Sequence, residues 1–341
     1  MANFKSILSV CFIVTVAFVF GYLVAIRLNT YPFEILLINR AINKPLEKYA
    51  IQNLSSTDFP KGEFKTTGLF ENSDDYTAQK FDFAFVADPT SKEFKHISGL
   101  INIPKINDVN KYPLIILVRG YIDQDNYSTG EGSLNIGRFL ASNGFVTVAP
   151  DFLGYANSDR ESSNIFETRF QTYTTVVSLI KSIEKGVLNP YWDGKNILIW
   201  GHSNGGQIAL TSLEITGGDY PTTLWAPVSK PFPYSILYYT DESDDKGKLL
   251  RSELAKFEKL YDVDKYSLTN YLDRINSPIQ LHQGTNDDAV PVDWSDSLYK
   301  RLKNLGKDID YITHPGSDHN MYPDWNSSAK QTLDFFKNHV K

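Results

Sequence analysis

The segment NILIWGHSNGGQIALTS, residues 196–212, joins a run of large apolar residues to an amphipathic pattern through a cluster of small residues. The apolar run predicts a buried β-strand, and the amphipathic part predicts a helix. Between them, GHSNG matches G-x-S-x-G, in which a serine occupies a strained turn between strand and helix. Gly201 and Gly205 would avoid collisions where the two elements pack closely. The segment therefore predicts an exposed hydroxyl on Ser203; the alternative is a turn in which Ser203 caps the helix.

Around this segment, short runs of β-branched and aromatic residues alternate with amphipathic helical patterns. The predicted strands are FDFAFVAD, KHISGLINIPK, YPLIILVRG, FVTVAPDFLG, NILIWGHS, TTLWAPVS, PIQLHQGT and DIDYITHPG. This alternation indicates an α/β fold, with a mostly parallel sheet covered by helices on both faces and an antiparallel hairpin at its start. Residues 230–276 are too long for a plain connection, and we predict a mostly helical, lid-like insertion there.

The amino-terminal residues have a different composition. Residues 6–26 carry no charge and supply the roughly 20 residues that a membrane-spanning helix needs. We predict a single-pass membrane anchor at 1–28, a juxtamembrane segment at 29–75 and a folded domain at 76–341. A cleaved signal peptide is the alternative, but the apolar run is long and no A-x-A-like site follows it. A short tail that stays inside would leave the domain outside the cytoplasm.

Composition excludes several classes of function. The net charge of -6 and the pI of about 5.6 argue against nucleic acid as a partner, because phosphate binding requires a basic face. With one cysteine, Cys11, the chain forms no intrachain disulfide and no thiolate zinc site. No H-E-x-x-H or similar cluster indicates a metal-dependent hydrolase. The oligomeric state stays open.

The loops at the ends of the later strands supply the groups that a serine nucleophile needs. A serine hydroxyl becomes reactive only when a base removes its proton and an acid orients that base. Asp287 and Asp288 follow PIQLHQGT, and His319 follows DIDYITHPG. We predict Ser203 as nucleophile, Asp287 as acid and His319 as base, with Asp288 as the alternative acid. The structural alternative for either aspartate is a turn or a helix cap.

Two further features concern the substrate. An oxyanion hole needs two preorganised N–H donors, and we assign them to the backbone amides of Asn204 and Tyr121. The alternative to the assignment of Tyr121 is that Gly120, which precedes it, only relieves a tight turn. Arg119 and the tyrosines of the insertion are candidates for the substrate pocket, although the tyrosines would equally serve to pack the insertion onto the core; these tyrosines are Tyr234, Tyr238 and Tyr239.

Four motifs together resemble the α/β-hydrolases of the prolyl-oligopeptidase-like serine peptidase type: GHSNGG, GTNDDAVP, GSDHN and VAPDFLGYANSD. The resemblance covers about residues 80–341. It implies an eight-stranded core, hydrolysis through an acyl-enzyme, no metal or organic cofactor, and the same roles for Ser203, Asp287 and His319. The stretch before the core is too short for the β-propeller of larger members, and Arg119-Gly120 replaces the His-Gly of many relatives.

We therefore expect a membrane-anchored serine peptidase acting on peptides. A carboxylesterase acting on small esters is the alternative, because this fold supports both. A third hypothesis is a catalytically inactive binding module that is tethered to the membrane.

Overall fold

The computed structural model describes residues 14–24, 43–105, 111–240 and 243–341. The chain divides into two units, Met1–Lys44 and Pro45–Lys341. In the first unit, residues 14–24 form a helix with exposed side chains. None of the helices in the described ranges is both long enough and apolar enough to cross a bilayer. Much of the predicted anchor at 1–28 lies outside the described residues, and the anchor stays a prediction.

The second unit is built on a sheet that has nine strands within the described residues, in the order β1-β2-β3-β5-β4-β6-β7-β8-β9. Neighbours pair antiparallel from β1 through β3 to β5, and in parallel from β5 through β4 to β9. The mostly parallel sheet with an antiparallel start is thus confirmed. The strands are β1 (Glu63–Asn72), β2 (Tyr76–Phe85), β3 (Lys95–Pro104), β4 (Tyr112–Val118), β5 (Val146–Pro150), β6 (Trp192–His202), β7 (Thr222–Trp225), β8 (Ile279–Gly284) and β9 (Ile309–His314).

Helices cover both faces of the sheet, as the alternating pattern predicts. They are α1 (Ile51–Ser55), α2 (Leu134–Ala141), α3 (Ile165–Glu184), α4 (Asn204–Thr216), α5 (Tyr234–Leu237), α6 (Lys248–Glu258), α7 (Val292–Asn304) and α8 (Trp325–His339). Strand β4 shows the two-residue period: Leu114 and Ile116 share a core with α3 and α4, whereas Ile115 and Leu117 share one with α2 and α8.

The domain boundary predicted at residue 76 needs correction, because residues 45–75 belong to the second unit. Tyr49, Ile51 and Leu54 are fully buried in its main core. Strand β1 adds a ninth strand to the eight that the resemblance implies. Its side chains are mostly exposed on both faces, so its sequence lacks the alternation that marks a half-buried strand.

The insertion between β7 and β8 is mostly helical, as predicted. Among its described residues are α5, α6 and the short 3₁₀ helices Val263–Tyr266, Leu268–Asn270 and Leu272–Arg274. Aromatic rings fix it to α3: the Phe170 ring lies 4.9 Å from that of Tyr266 and 5.9 Å from that of Phe232. The insertion is therefore part of the main core.

Candidate active site

Ser203 stands in the turn between β6 and α4 with backbone angles of φ 56° and ψ -123°. Such a conformation costs about 1–3 kcal/mol for a residue other than glycine. It is held by hydrogen bonds from the Ser203 amide to the Trp225 carbonyl (2.9 Å) and from the Val228 amide to the Ser203 carbonyl (3.0 Å). The Ser203 side chain makes no capping bond to α4. The predicted elbow is present, and the helix-cap alternative is not.

The glycines of the elbow are required by close packing. A Cβ atom on Gly205 would lie 2.0 Å from the Val118 carbonyl oxygen, and one on Gly201 would lie 2.9 Å from the Gly205 carbonyl oxygen. A Cβ atom on Gly120 would lie 3.0 Å from the Ser203 Cβ. The first turn of α4 therefore packs directly against the ends of β4 and β6, and the loop after β4 touches the serine.

Asp287 and His319 lie together at the ends of β8 and β9. The His319 Nδ1 atom is 2.9 Å from Oδ2 and 3.1 Å from Oδ1 of Asp287. The Asp287 side chain is fully buried, and it accepts hydrogen bonds from the amides of Ala289 and Val290 and from the Gln283 side chain. Donation from Nδ1 leaves Nε2 of His319 as the basic atom.

Burial raises the pKa of the Asp287 carboxyl, but His319 and the donors from Val290 and Gln283 outweigh burial, so its pKa lies below the ordinary value. Asp287 therefore stays ionised at neutral pH. Asp288, the alternative acid, is exposed to solvent, and the structure joins His319 to Asp287.

His202 links the serine elbow to the histidine loop. Its Nε2 atom lies 3.0 Å from the His319 carbonyl oxygen, and the two rings are 4.7 Å apart. Burial, together with the neighbouring His319, lowers the pKa of His202 to about 4, so its ring is neutral. No hydrogen bond joins the described side chains of Ser203 and His319. In ligand-free active sites this bond is often long, and it tightens when substrate binds.

The backbone amides near Ser203 that have no hydrogen-bond partner among the described residues include those of Tyr121 and Asn204. Asn204 is the first residue of α4, where amides lack an acceptor within the helix. Tyr121 follows Gly120, which contacts Ser203. Both residues therefore lie near the serine in the chain or through Gly120, and their role as oxyanion donors stays a prediction.

The prediction that Arg119 lines a pocket is wrong, because the residue is 4% exposed. Its guanidinium group donates to the carbonyl oxygens of Gly120 (2.8 Å) and Asp151 (2.9 Å) and lies 4.0 Å from the centre of the Tyr155 ring. Since a trans peptide directs its C=O and N–H in opposite directions, the bond to Gly120 also fixes the direction of the Tyr121 amide.

Two cavities flank the serine. The first, of about 530 Å³, we call the aromatic cavity; its lining includes Phe70, Trp200, His202, Trp225, Asn320, Tyr322 and Trp325. The second, of about 480 Å³, we call the Arg169 cavity; its lining includes Tyr121, Asp123, Asp125, Glu161, Arg169 and Asn204. The described residues contain no group of three or more His, Cys, Asp or Glu side chains arranged to hold a metal ion.

Tyr234 and Tyr238 line neither cavity. Their rings lie 6.2 Å and 4.9 Å from the ring of Trp294, and both tyrosines are partly exposed. Tyr239 contacts the same tryptophan and donates a hydrogen bond to the Ala289 carbonyl, two residues after Asp287. These contacts hold the tyrosines beside the loop that carries Asp287.

Residues 134–341 match the sequence model of the prolyl oligopeptidase family. A Schizosaccharomyces pombe protein named as a dipeptidyl aminopeptidase is 25% identical over 74% of this chain and 29% of its own length. Human mitochondrial palmitoyl-protein thioesterase is 26% identical over 68% of this chain and 75% of its own length. The chain spans under a third of the dipeptidyl aminopeptidase that it matches.

Solved structures show the same fold. Acetyl xylan esterase from Paenibacillus sp. R4 superposes with a TM-score of 0.60 at 14% identity, over 83% of this chain and 91% of the esterase. The fold and the matched sequences define a serine hydrolase of the α/β-hydrolase class. Within that class, the chain belongs to the prolyl oligopeptidase family.

Proposed function

We propose that the protein cleaves peptide bonds through an acyl-enzyme on Ser203. The observation that carries this proposal is the elbow itself: a strained serine with an uncommitted hydroxyl stands beside two free amides. The hydrogen-bonded pair of His319 and Asp287 supports it. Membership of a family named for a peptidase favours peptides as the substrate.

In the proposed mechanism, the Ser203 Oγ attacks the substrate carbonyl carbon, and His319 Nε2 takes its proton. The amides of Tyr121 and Asn204 bind the negative oxygen that forms. His319 then gives the proton to the leaving amine, and the carbon–nitrogen bond breaks. Water attacks the acyl-enzyme with His319 as base, and the acid product leaves Ser203 restored. Asp287 holds the imidazole and stabilises its positive charge.

Hydrolysis of carboxylic esters is the second candidate. The thioesterase relative is matched over 75% of its length, whereas the dipeptidyl aminopeptidase is matched over 29%. Esters use the same steps, with an alcohol in place of the amine. Parallel kinetics on amide and ester substrates that share one acyl group would decide between the two.

The activated serine is tested with a fluorophosphonate probe on the full chain. We expect labelling of the wild type, none of Ser203→Ala and at least a hundredfold slower labelling of His319→Ala, since base catalysis contributes about 10²–10⁴-fold. Asp288→Asn is the matched control for Asp287→Asn, and only the latter should slow labelling. A folded wild type that stays unlabelled would favour the inactive binding module.

We also propose that residues 1–28 anchor the protein in a membrane, with the hydrolase domain on the extracytoplasmic side. The uncharged run at 6–26 supports this proposal. We expect the full chain to stay in the membrane fraction after alkaline carbonate washing, and a chain starting at Pro45 to be released. Protease protection in intact cells would report the side.

A further inference from the structure

The aromatic cavity lies on the histidine side of the serine. It is lined by His202, which precedes Ser203, and by Asn320, which follows His319. The Arg169 cavity instead includes Tyr121 and Asn204, whose amides are the proposed oxyanion donors. The two cavities therefore flank the serine on its proton-transfer side and on its oxyanion side.

Proton transfer decides which part of the substrate meets each cavity. In the proposed function, on which this inference rests, His319 returns the proton to the leaving group. The leaving atom must therefore lie close to His319 Nε2, and its substituent extends to the cavity beside His202 and Asn320. We propose that the aromatic cavity is the leaving-group subsite, and that it selects an uncharged or cationic leaving group with a flat aromatic ring.

The walls of the cavity suit a flat ring. The Trp200 and Trp225 rings meet edge to face at 5.5 Å, and those of Trp225 and Trp325 do so at 6.2 Å. Aromatic rings favour these offset and edge-to-face contacts with one another. Trp200 and Trp225 form the buried base of this arrangement, and the more exposed rings of Trp325 and Tyr322 are those that a further aromatic group would meet.

An unpaired donor stands in the same wall. Trp200 is 2% exposed, and its indole N–H has no acceptor in the described part of the chain. The indole N–H of Trp225, by contrast, donates to Thr332 Oγ1 at 3.0 Å. A buried donor usually has a partner, and the Trp200 N–H, which has almost no accessible surface, would be reached by a ligand acceptor only through a small movement of the wall. A heteroaromatic ring supplies both the flat shape and the acceptor.

The ninth strand completes the cavity. Phe70 of β1 lies in its lining and is 37% exposed. The adjacent Glu71 accepts hydrogen bonds from Arg138 Nε of α2 (2.9 Å) and from the Tyr76 hydroxyl (2.7 Å), and both bonds fix the strand at this point. Glu131 also lines the cavity, and its carboxylate disfavours anionic leaving groups.

The test uses the full chain and two substrate series, acetate esters and alanine amides. Each series carries methyl, cyclohexylmethyl, benzyl and 3-pyridylmethyl leaving groups. We expect kcat/KM to be at least tenfold higher for benzyl than for cyclohexylmethyl, and higher again for 3-pyridylmethyl. Phe70→Ala should remove most of the benzyl advantage, so that kcat/KM for the benzyl substrates falls towards that for the cyclohexylmethyl substrates. Leu69→Ala, on the neighbouring exposed residue of β1, is the matched control and should keep the advantage.

Trp200→Phe separates the donor from the ring. This variant should lose the preference for 3-pyridylmethyl over benzyl and keep that for benzyl over cyclohexylmethyl. An aromatic preference that follows the acyl group, tested with methyl benzoate and methyl acetate, would overturn the assignment. So would an active enzyme with equal rates for benzyl and cyclohexylmethyl. Absence of Ser203 labelling by the fluorophosphonate would instead refute the proposed function.

Discussion

Ser203 and the residues around it show how closely the elbow is packed. Its strained backbone is held between β7 and the loop after β4, where Gly205 and Gly120 leave no room for a side chain. The strain is therefore maintained by contacts from other strands.

Replacing Gly205 tests this packing. We expect Gly205→Ala to destabilise the domain by at least about 3 kcal/mol, since overpacking a core costs 1–3 kcal/mol and here the clash is with rigid backbone. Thermal unfolding of the variant measures the loss. Gly68→Ala, at a position where a Cβ atom meets nothing within 4 Å, is the control and should melt within a few degrees of the wild type. A Gly205→Ala protein as stable as the control would contradict the packing.

Arg119 donates to the Gly120 carbonyl and thereby orients the Tyr121 amide, the proposed oxyanion donor. We expect Arg119→Met to lower kcat by roughly tenfold with little change in KM. Loss of a whole oxyanion donor lowers kcat by about 10²–10³-fold, whereas this variant keeps the Tyr121 amide and only allows its orientation to vary. Steady-state kinetics measure the effect. Arg274→Met removes a comparable bond, from Nε to the Glu214 carbonyl (2.7 Å), far from the serine, and should leave kcat unchanged. Equal kcat in wild type and Arg119→Met would refute this role.

The role of a residue can be predicted from the sequence where a short local motif indicates it. Ser203, Asp287 and His319 each stand in a short motif after a strand, and the structure shows His319 paired with Asp287. The roles of Arg119 and His202 could not be predicted, because their partners lie far along the chain. Arg119 meets Tyr155, and His202 meets the carbonyl of His319.

At the scale of elements, the strands and helices with clear periodicity are those that the sequence predicts. Strands β2 to β9 and the long helices carry apolar residues at the expected spacing. The sequence predicts a juxtamembrane segment at 29–75, because the short α1 and the mostly exposed β1 carry no clear periodicity. Their place in the fold depends on distant partners: the Leu46 amide and carbonyl, for example, bond the hydroxyls of Tyr261 and Tyr266.

Truncation tests the corrected boundary. We expect a chain starting at Pro45 to fold, and one starting at Tyr76 to aggregate or unfold, because the latter loses the buried side chains of Tyr49, Ile51 and Leu54. Each buried large apolar side chain contributes about 1.5–3 kcal/mol, a large part of a typical domain's stability. Gel filtration and circular dichroism distinguish the results. Cooperative unfolding of the shorter chain at the same temperature would restore the boundary at 76.

For the whole molecule, buried imidazoles contribute to the loss of stability in mild acid. His282 is fully buried between Gln280 Oε1 and His314 Nε2, both at 2.9 Å. Burial, with His314 beside it, lowers the pKa of His282 to about 3. Below the ordinary histidine pKa of about 6.5, His282 binds a proton in the unfolded chain but stays neutral in the folded chain. The stability that this group contributes is complete above pH 6.5 and is lost as the pH falls towards 3.

Urea unfolding at pH 6.5, 5.5 and 4.5 tests this consequence. The free energy of unfolding of the wild type should fall with acid more steeply than that of His282→Gln, by up to about 1.4 kcal/mol per pH unit. Comparing slopes cancels other groups, including Glu214, whose pKa is raised by burial and which acts in the opposite sense. Parallel slopes would show that His282 is protonated in the folded chain.

The contact between Gly205 and the end of β4 has a further consequence for laboratory evolution. Because Gly205 of the elbow touches the backbone of residues 118 and 119, a substitution in either segment is expected to disturb the other. Libraries that vary residues 118–120 or 201–206 should yield mostly misfolded or inactive variants. Libraries at Phe70, Tyr322 and Trp325, whose side chains line the aromatic cavity, should yield folded enzymes with altered selectivity.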